Sequence, residues 1–101
     1  MFDNLALRSD DRLLLLCVPG PEELERMAAR LTDGLIVVIG PDDEIHAGRR
    51  ACSHLENVMF TPGTADEIPW RDALFTVAVV KGAPTPDVIR VVTPGGTVVR
   101  I

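Results

Sequence analysis

Apolar positions alternate along the chain between two periods. Leu13, Leu14, Leu15, Leu16, Cys17 and Val18 are apolar without a break, the pattern of a central parallel strand covered on both faces, and Pro19 and Gly20 stop it. From Pro21 the period changes. Leu24, Met27, Ala28 and Leu31 recur at i, i+3, i+4 and i+7, the stripe of an amphipathic helix, which Gly34 ends. Residues 35–39 repeat the strand pattern, with Gly40 and Pro41 as its stop. A second helix follows with Ile45, Gly48, Cys52 and Leu55 on its apolar side, where Gly48 weakens the helix unless a close contact needs it. Val58, Met59 and Phe60 give a short third strand, and residues 74–80 a fourth that is buried like the first. Thr85 as N-cap and Pro86 as first helical residue open a short helix to Val92, followed by a turn at Pro94, Gly95 and Gly96 and a last strand over residues 97–101.

Strands alternating with helices imply right-handed βαβ units, so the expected fold is α/β: three layers, a doubly wound, mostly parallel five-stranded sheet with helices on both faces. The five strands are expected near residues 12–18, 35–39, 58–61, 74–80 and 97–101, all within one domain spanning 1–101. Phe2, Leu5 and Leu7 suggest a short docking helix before the first strand.

Composition narrows this picture. Hydrophobic residues make up 47% of the chain but aromatic ones only 4%, with no Tyr, so the core must be aliphatic. The formal net charge of −5 argues against a nucleic-acid partner, since that binding needs a basic face to neutralise phosphates. No apolar run approaches the roughly 18 to 20 residues that span a bilayer, and the first residues lack a signal-peptide layout, so a cytoplasmic location is expected. There Cys17 and Cys52 are expected as free, at least half-buried thiols. With no C-x-x-C pair beside Cys52, His54 and His46, no metal site is expected.

In open α/β sheets ligands lie beyond the carboxyl ends of the strands. Two turns there share one plan, Gly20-Pro21-Glu22-Glu23 and Gly40-Pro41-Asp42-Asp43: glycine as N-cap, proline at the first helical position, then two carboxylates. Those carboxylates compensate the positive helix end and repel an incoming anion, and each proline removes an amide.

The segment from Asn57 through Pro62-Gly63-Thr64-Ala65, Ile68-Pro69-Trp70, Asp72 and Phe75-Thr76-Val77 resembles the stretch "N-V-x-F-x-x-G-D-A-x-x-L-P-F-x-D-x-x-F-D-V" of class I S-adenosylmethionine-dependent methyltransferases. Arg90-Val91-Val92-Thr93-Pro94-Gly95-Gly96-Thr97-Val98-Val99 resembles that family's "R-V-L-K-P-G-G-x-L-V". The resemblance covers residues 12 to 101 and, with the double burial of the first and fourth strands, implies the strand order 3-2-1-4-5 in a shortened Rossmann-like fold. It also implies a cleft formed by Cys17, Pro19, Gly20, Gly40, Thr64, Ala65 and Lys81. At those positions the residues depart from the family. Cys17, Pro19 and Pro21 replace the glycines of its first turn, Gly40 replaces the acid that binds the ribose hydroxyls, Thr64 replaces the acid that meets the adenine, and Thr76 replaces the Asp of "F-D-V". Each lost charge-assisted hydrogen bond is worth about 1.5 to 3 kcal/mol. Only nine residues separate Val80 from Arg90, too few for the family's substrate-side helix, and nothing follows Ile101 where further strands usually stand. Lys81, the only lysine, ends the fourth strand as either a solvated lysine or an active-site remnant.

Three readings follow. The first is a degenerate, non-catalytic relative that acts as an interaction or structural module. It would be a homodimer formed through the last strand, or through the short helix before it by Val88 and Val92, and would hold no cofactor. The second is a binder of an uncharged or cationic small molecule, with Glu22, Glu23, Asp42 and Asp43 around its cleft. The third is an active S-adenosylmethionine-dependent methyltransferase with atypical cofactor binding. Titration with the cofactor separates the first from the third, and Trp70, placed beside the cleft, would report binding by fluorescence.

Overall fold

The computed structural model describes residues 5–101. Its elements run β1 (Arg12–Leu15), α1 (Pro21–Arg30), β2 (Leu35–Gly40), α2 (Asp42–Ala51), β3 (Val58–Pro62), β4 (Phe75–Val80), α3 (Pro86–Val91) and β5 (Val92–Arg100). All strand pairings within the sheet are parallel and the order is β3-β2-β1-β4-β5, as the resemblance implied. Unbroken apolar runs go to the middle of the sheet because both faces there are covered. Leu13, Leu14 and Leu15 are wholly buried and feed two cores. Leu13 and Leu15 pack with Leu24, Met27, Ile36, Val38 and Ile45 beneath α1 and α2, whereas Leu14 packs with Val37, Ile39, Ala78, Val88 and Val91 on the α3 face.

Several boundaries differ from the sequence reading. β1 ends at Leu15 rather than at residue 18, because the chain bends away after its last pairing, so Cys17 and Val18 stand in the turn. Residues 5–11 form no helix; Leu5 docks in the core from irregular chain, its carbonyl accepting from the Leu7 amide at 3.1 Å, and the expectation for Phe2 lies outside the described residues. β5 begins at Val92 and absorbs the expected Pro94-Gly95-Gly96 turn as an irregularity: Phe75 pairs with Val92 and Val77 with Thr97, with Gly95 at φ 83. Gly48 lacks a side chain for a packing reason, since a Cβ there would come within 2.8 Å of the Phe60 ring.

Side chains lock the ends of the elements. Asn57 donates from Nδ2 to the Ala28 and Leu31 carbonyls, both at 3.0 Å, closing the carboxyl end of α1. Thr76 accepts from the Arg12 amide at 2.9 Å and donates to Asp11 Oδ1 at 2.8 Å, while Asp11 Oδ2 accepts from the Arg8 amide at 2.7 Å. Asp11 is buried, and its carbonyl lies where a Cβ on Gly34 would fall.

The connection from β3 to β4 contains no helix, yet it must cover the face of β2 beside α3. Ala65, Ile68, Trp70 and Leu74 do so as irregular chain, with Trp70 edge-on to Phe75 at 6.5 Å. Irregular backbone leaves carbonyls to satisfy, and one side chain collects them. Arg90 donates to the Ile68 and Trp70 carbonyls at 2.9 and 3.0 Å and to Asp72 and Asp87. Asp87 in turn accepts from the Ile68 amide at 2.7 Å. The hydrogen bond from Arg90, then the one from Ile68, holds the Asp87 carboxyl below its ordinary value.

A lowered folded-state value means that this contribution is complete above the unfolded carboxylate's pKa and is lost as pH falls through the folded one. The melting temperature should therefore fall more steeply below about pH 4 in the parent protein than in Asp87→Asn. Superimposable profiles from thermal melts of the two would show that the Asp87 charge does not hold this loop.

Candidate functional site at the carboxyl ends of the strands

All seven residues of the expected cleft follow or end strands on the same edge of the sheet: Cys17, Pro19 and Gly20 after β1, Gly40 at the end of β2, Thr64 and Ala65 after β3, Lys81 after β4. The structure brings them to one end of the molecule but not around one cavity. Pro19 lines a hollow between α1 and α2, and Gly20 lines another with Pro21, Glu22, Glu23 and Arg26; Gly40, Thr64, Ala65 and Lys81 line neither.

Gly40 shows why. It is buried, and a Cβ there would stand 3.0 Å from Val18 Cγ2 and 3.9 Å from Ile45 Cδ1. Its carbonyl accepts from the Gly63 amide at 3.1 Å, extending the β2–β3 ladder into the turn. Apolar side chains and paired backbone thus occupy the end of β2.

The two helix starts behave differently from one another. α1 begins as expected, with Gly20 as N-cap, Pro21 first and Glu22 and Glu23 in the opening turn. In α2 the frame is shifted by one residue: Gly40 belongs to β2, Pro41 is the N-cap, and Asp42, Asp43 and Glu44 fill the first turn. Pro41 takes the cap because its fixed φ, here −62, combines with an extended ψ of 151. Carboxylates complement the helix dipole at both starts. One oxygen of Glu23, Oε2, is buried without a hydrogen-bond partner.

Around Cys17 burial raises the thiol pKa, the Lys81 charge lowers it, and Glu23 and Glu44 raise it again. Cys52 is almost fully buried and its thiol is likewise raised, chiefly by burial. Neither environment favours a reactive thiolate. Thr64 is exposed and forms a short antiparallel bridge with Glu67, while the Ala65 carbonyl accepts from the Thr85 hydroxyl at 2.6 Å. His46 and His54 are exposed on and just after α2, and His54 Nε2 lies 3.1 Å from Glu25. Trp70 is not beside the cleft. It sits with Phe75 and Arg90 at the opposite end of the sheet, because the chain has by then descended to the start of β4.

Solved structures share this arrangement. The YcgJ protein of Bacillus subtilis aligns with 94% of the chain at a TM-score of 0.75 and 17% identity, over 45% of its own length. A SAM-dependent methyltransferase of Methanosarcina mazei aligns with 89% at 0.67 and 20% identity, over 51% of its length. The fold is that of the class I methyltransferases. The [4+2]-cyclase SpnF aligns with 96% at 0.73 and 20% identity, over 41% of its length, so the same architecture also carries a different named activity. The chain therefore spans about half the length of these relatives in structure. No family model matches it, and no curated protein does.

S-adenosylmethionine is the cofactor named for the Methanosarcina mazei neighbour. A ribose clamp needs an acceptor at the end of β2, and Val18 and Ile45 lie against the place where its side chain would start. A glycine-lined first turn needs free amides, and Pro21 removes one while Glu22 and Glu23 put negative charge in the first turn of α1. The fit fails at both places. Asp11, buried and central to the start of β1, carries no sequence signal beyond standing two residues before the apolar run, with Arg12 between.

Gly40→Asp should then destabilise the protein, by about 1–3 kcal/mol, because the new carboxylate must displace Val18 or remain buried without a donor. Urea unfolding should show a lower midpoint at unchanged slope; an unchanged midpoint would mean that the end of β2 has room for an acid.

Proposed function

We propose that this domain is a non-catalytic, methyltransferase-like interaction module that binds no S-adenosylmethionine and pairs with a second copy through the outer edge of β5. The observation that carries the non-catalytic reading is Gly40, buried under Val18 with its carbonyl paired to Gly63 at the position where the family's ribose-binding acid belongs. Restoring one acid does not reopen this end of the sheet.

The pairing rests on β5. Among the described residues no strand lies beyond it, and an open edge presents unpaired amides and carbonyls. The Ile101 amide donates to Val80 and its carbonyl accepts from Gly82, so by strand alternation Thr97 and Val99 also face β4 while Val98 and Arg100 face outward. Two such edges joined antiparallel about a two-fold axis would satisfy those groups together. Ile89, 61% exposed on α3, and Ile101, 38% exposed, would add apolar contact. The alternative contact through Val88 and Val92 is unavailable in that form, since Val88 is wholly buried in the core beneath α3.

Calorimetric titration with S-adenosylmethionine to about 1 mM should give no saturable heat, and a micromolar isotherm would establish cofactor binding instead. Light scattering should give about twice the chain mass of 11.0 kDa. Val98→Pro, which removes an outward amide, should yield a folded monomer by circular dichroism and scattering. Val99→Pro should unfold the domain, since its amide belongs to the β4 ladder. A parent protein that stays monomeric at high concentration would remove the pairing.

A further inference from the structure

A hollow of ≈ 290 Å³ runs between α1 and α2 on the face away from α3. Val18, Pro19, Pro21 and Leu24 form one side, and Glu44, Ala47, Gly48, Ala51 and Cys52 the other. Leu24 and Cys52 are buried at its floor, whereas Ala47 and Ala51 are exposed and leave the α2 wall low. Its volume falls just below the roughly 300–1,000 Å³ range of small-molecule pockets, and it is a groove open along two helices, which suits one or two large side chains projecting from a helix.

Charge decides what kind of helix. Glu44 is the only charged lining residue. On the α1 side Glu25 faces the turn after α2, where its partner is His54 at 3.1 Å. Of the arginines on these two helices, Arg49 donates to the Phe60 carbonyl at 2.7 Å on the β3 side and Arg30 to the Leu5 carbonyl at 3.0 Å, Arg26 lines the separate hollow with Glu22 and Glu23, and Arg50 is exposed on α2. The groove is thus apolar at its floor, with the single carboxylate of Glu44 on its wall.

We propose that the groove between α1 and α2 docks a basic amphipathic helix of another protein, with an aliphatic or aromatic anchor over Leu24, Val18 and Cys52 and a lysine or arginine against Glu44. This surface is separate from the β5 edge, so the proposal stands whether or not the chain pairs with itself.

The probe is a labelled helical peptide of about 18 residues with leucines on one face and lysines on the other, titrated by fluorescence anisotropy. Two controls accompany it, one with glutamate for lysine and one with serine for leucine. Saturable binding near the micromolar range is expected for the first peptide, with each control and the variants Glu44→Lys and Ala47→Arg weakened at least tenfold. Both substituted side chains are exposed, so Ala47→Arg should keep the parent's circular dichroism and melting behaviour, while Glu44→Lys should keep the circular dichroism and melt slightly lower, because it puts a cation in the first turn of α2. Amide NMR shifts should concentrate in residues 18–24 and 44–52 and spare Val98 and Arg100. Equal binding by the serine peptide would reduce the effect to general attraction by an acidic protein and overturn the proposal. So would shifts centred on β5, or no saturation by about 1 mM. If Ala47→Arg instead lowers the protein's own mass in sedimentation, the groove's occupant is a second copy and the proposal fails.

Discussion

Burial of β1 on both faces is the constraint on which the structure depends. Leu13, Leu14 and Leu15 expose nothing to solvent, so each face of the sheet needs its own cover. α1 and α2 cover one face with the stripe Leu24, Met27, Ala28 and the single deep anchor Ile45. The other face has only the six residues of α3, and irregular chain does the rest. That shortage explains the position of Arg90. A helix satisfies its own carbonyls, but residues 63–74 do not form one, so a guanidinium with several donors stands in the middle and collects two carbonyls and two carboxylates. The same shortage accounts for Ala73 at φ 55, whose amide reaches the Arg90 carbonyl in the turn that starts β4.

The architecture was legible in the sequence because the aliphatic runs are long and the period switches are sharp. Continuous runs marked the buried strands, and the i, i+3, i+4, i+7 stripe marked α1. Boundaries were less legible where two signals competed. Residues 16–18 are as apolar as residues 13–15, yet after the Leu16 amide meets the Val79 carbonyl the chain leaves the sheet, and Cys17 and Val18 pack as turn, with Val18 filling the space above Gly40. Pro94-Gly95-Gly96 reads as a stop, but parallel pairing resumes on the far side with a register change, and the strand is longer than its composition suggests. Gly40 and Gly20 look equivalent in sequence. Only pairing with β3, a long-range fact, assigns Gly40 to a strand and moves the cap to Pro41.

The candidate site was legible in its placement and illegible in its packing. Topology alone puts Cys17, Gly40, Thr64 and Lys81 at one edge of the sheet, since parallel strands all end there. Whether that edge is open depends on side chains from neighbouring elements. Thr76 illustrates the point: by resemblance it is a lost acid, but in the structure its hydroxyl joins the Arg12 amide to the Asp11 carboxylate at the opposite end of the sheet. A residue that departs from a family pattern can thus be a working part of this molecule's own framework.

This bears on how far the domain stands from cofactor chemistry. Were the departures independent, each would subtract its own increment from binding and could be reversed alone. They are not independent here. Val18 packs over Gly40, Gly40 is hydrogen-bonded to Gly63, and Gly63 begins the turn that carries Thr64 and Ala65. Ala65 is tied through its carbonyl to Thr85, which is also the N-cap of α3. An acid introduced at the end of β2 therefore pushes on the β1 turn, and a shift there is resisted by contacts that reach the helix covering the opposite face. Residues in one contact network couple strongly, so the way back to a cofactor cleft requires several simultaneous changes. The contacts around Gly40 are the same ones that hold the ends of β1, β2 and β3 in place.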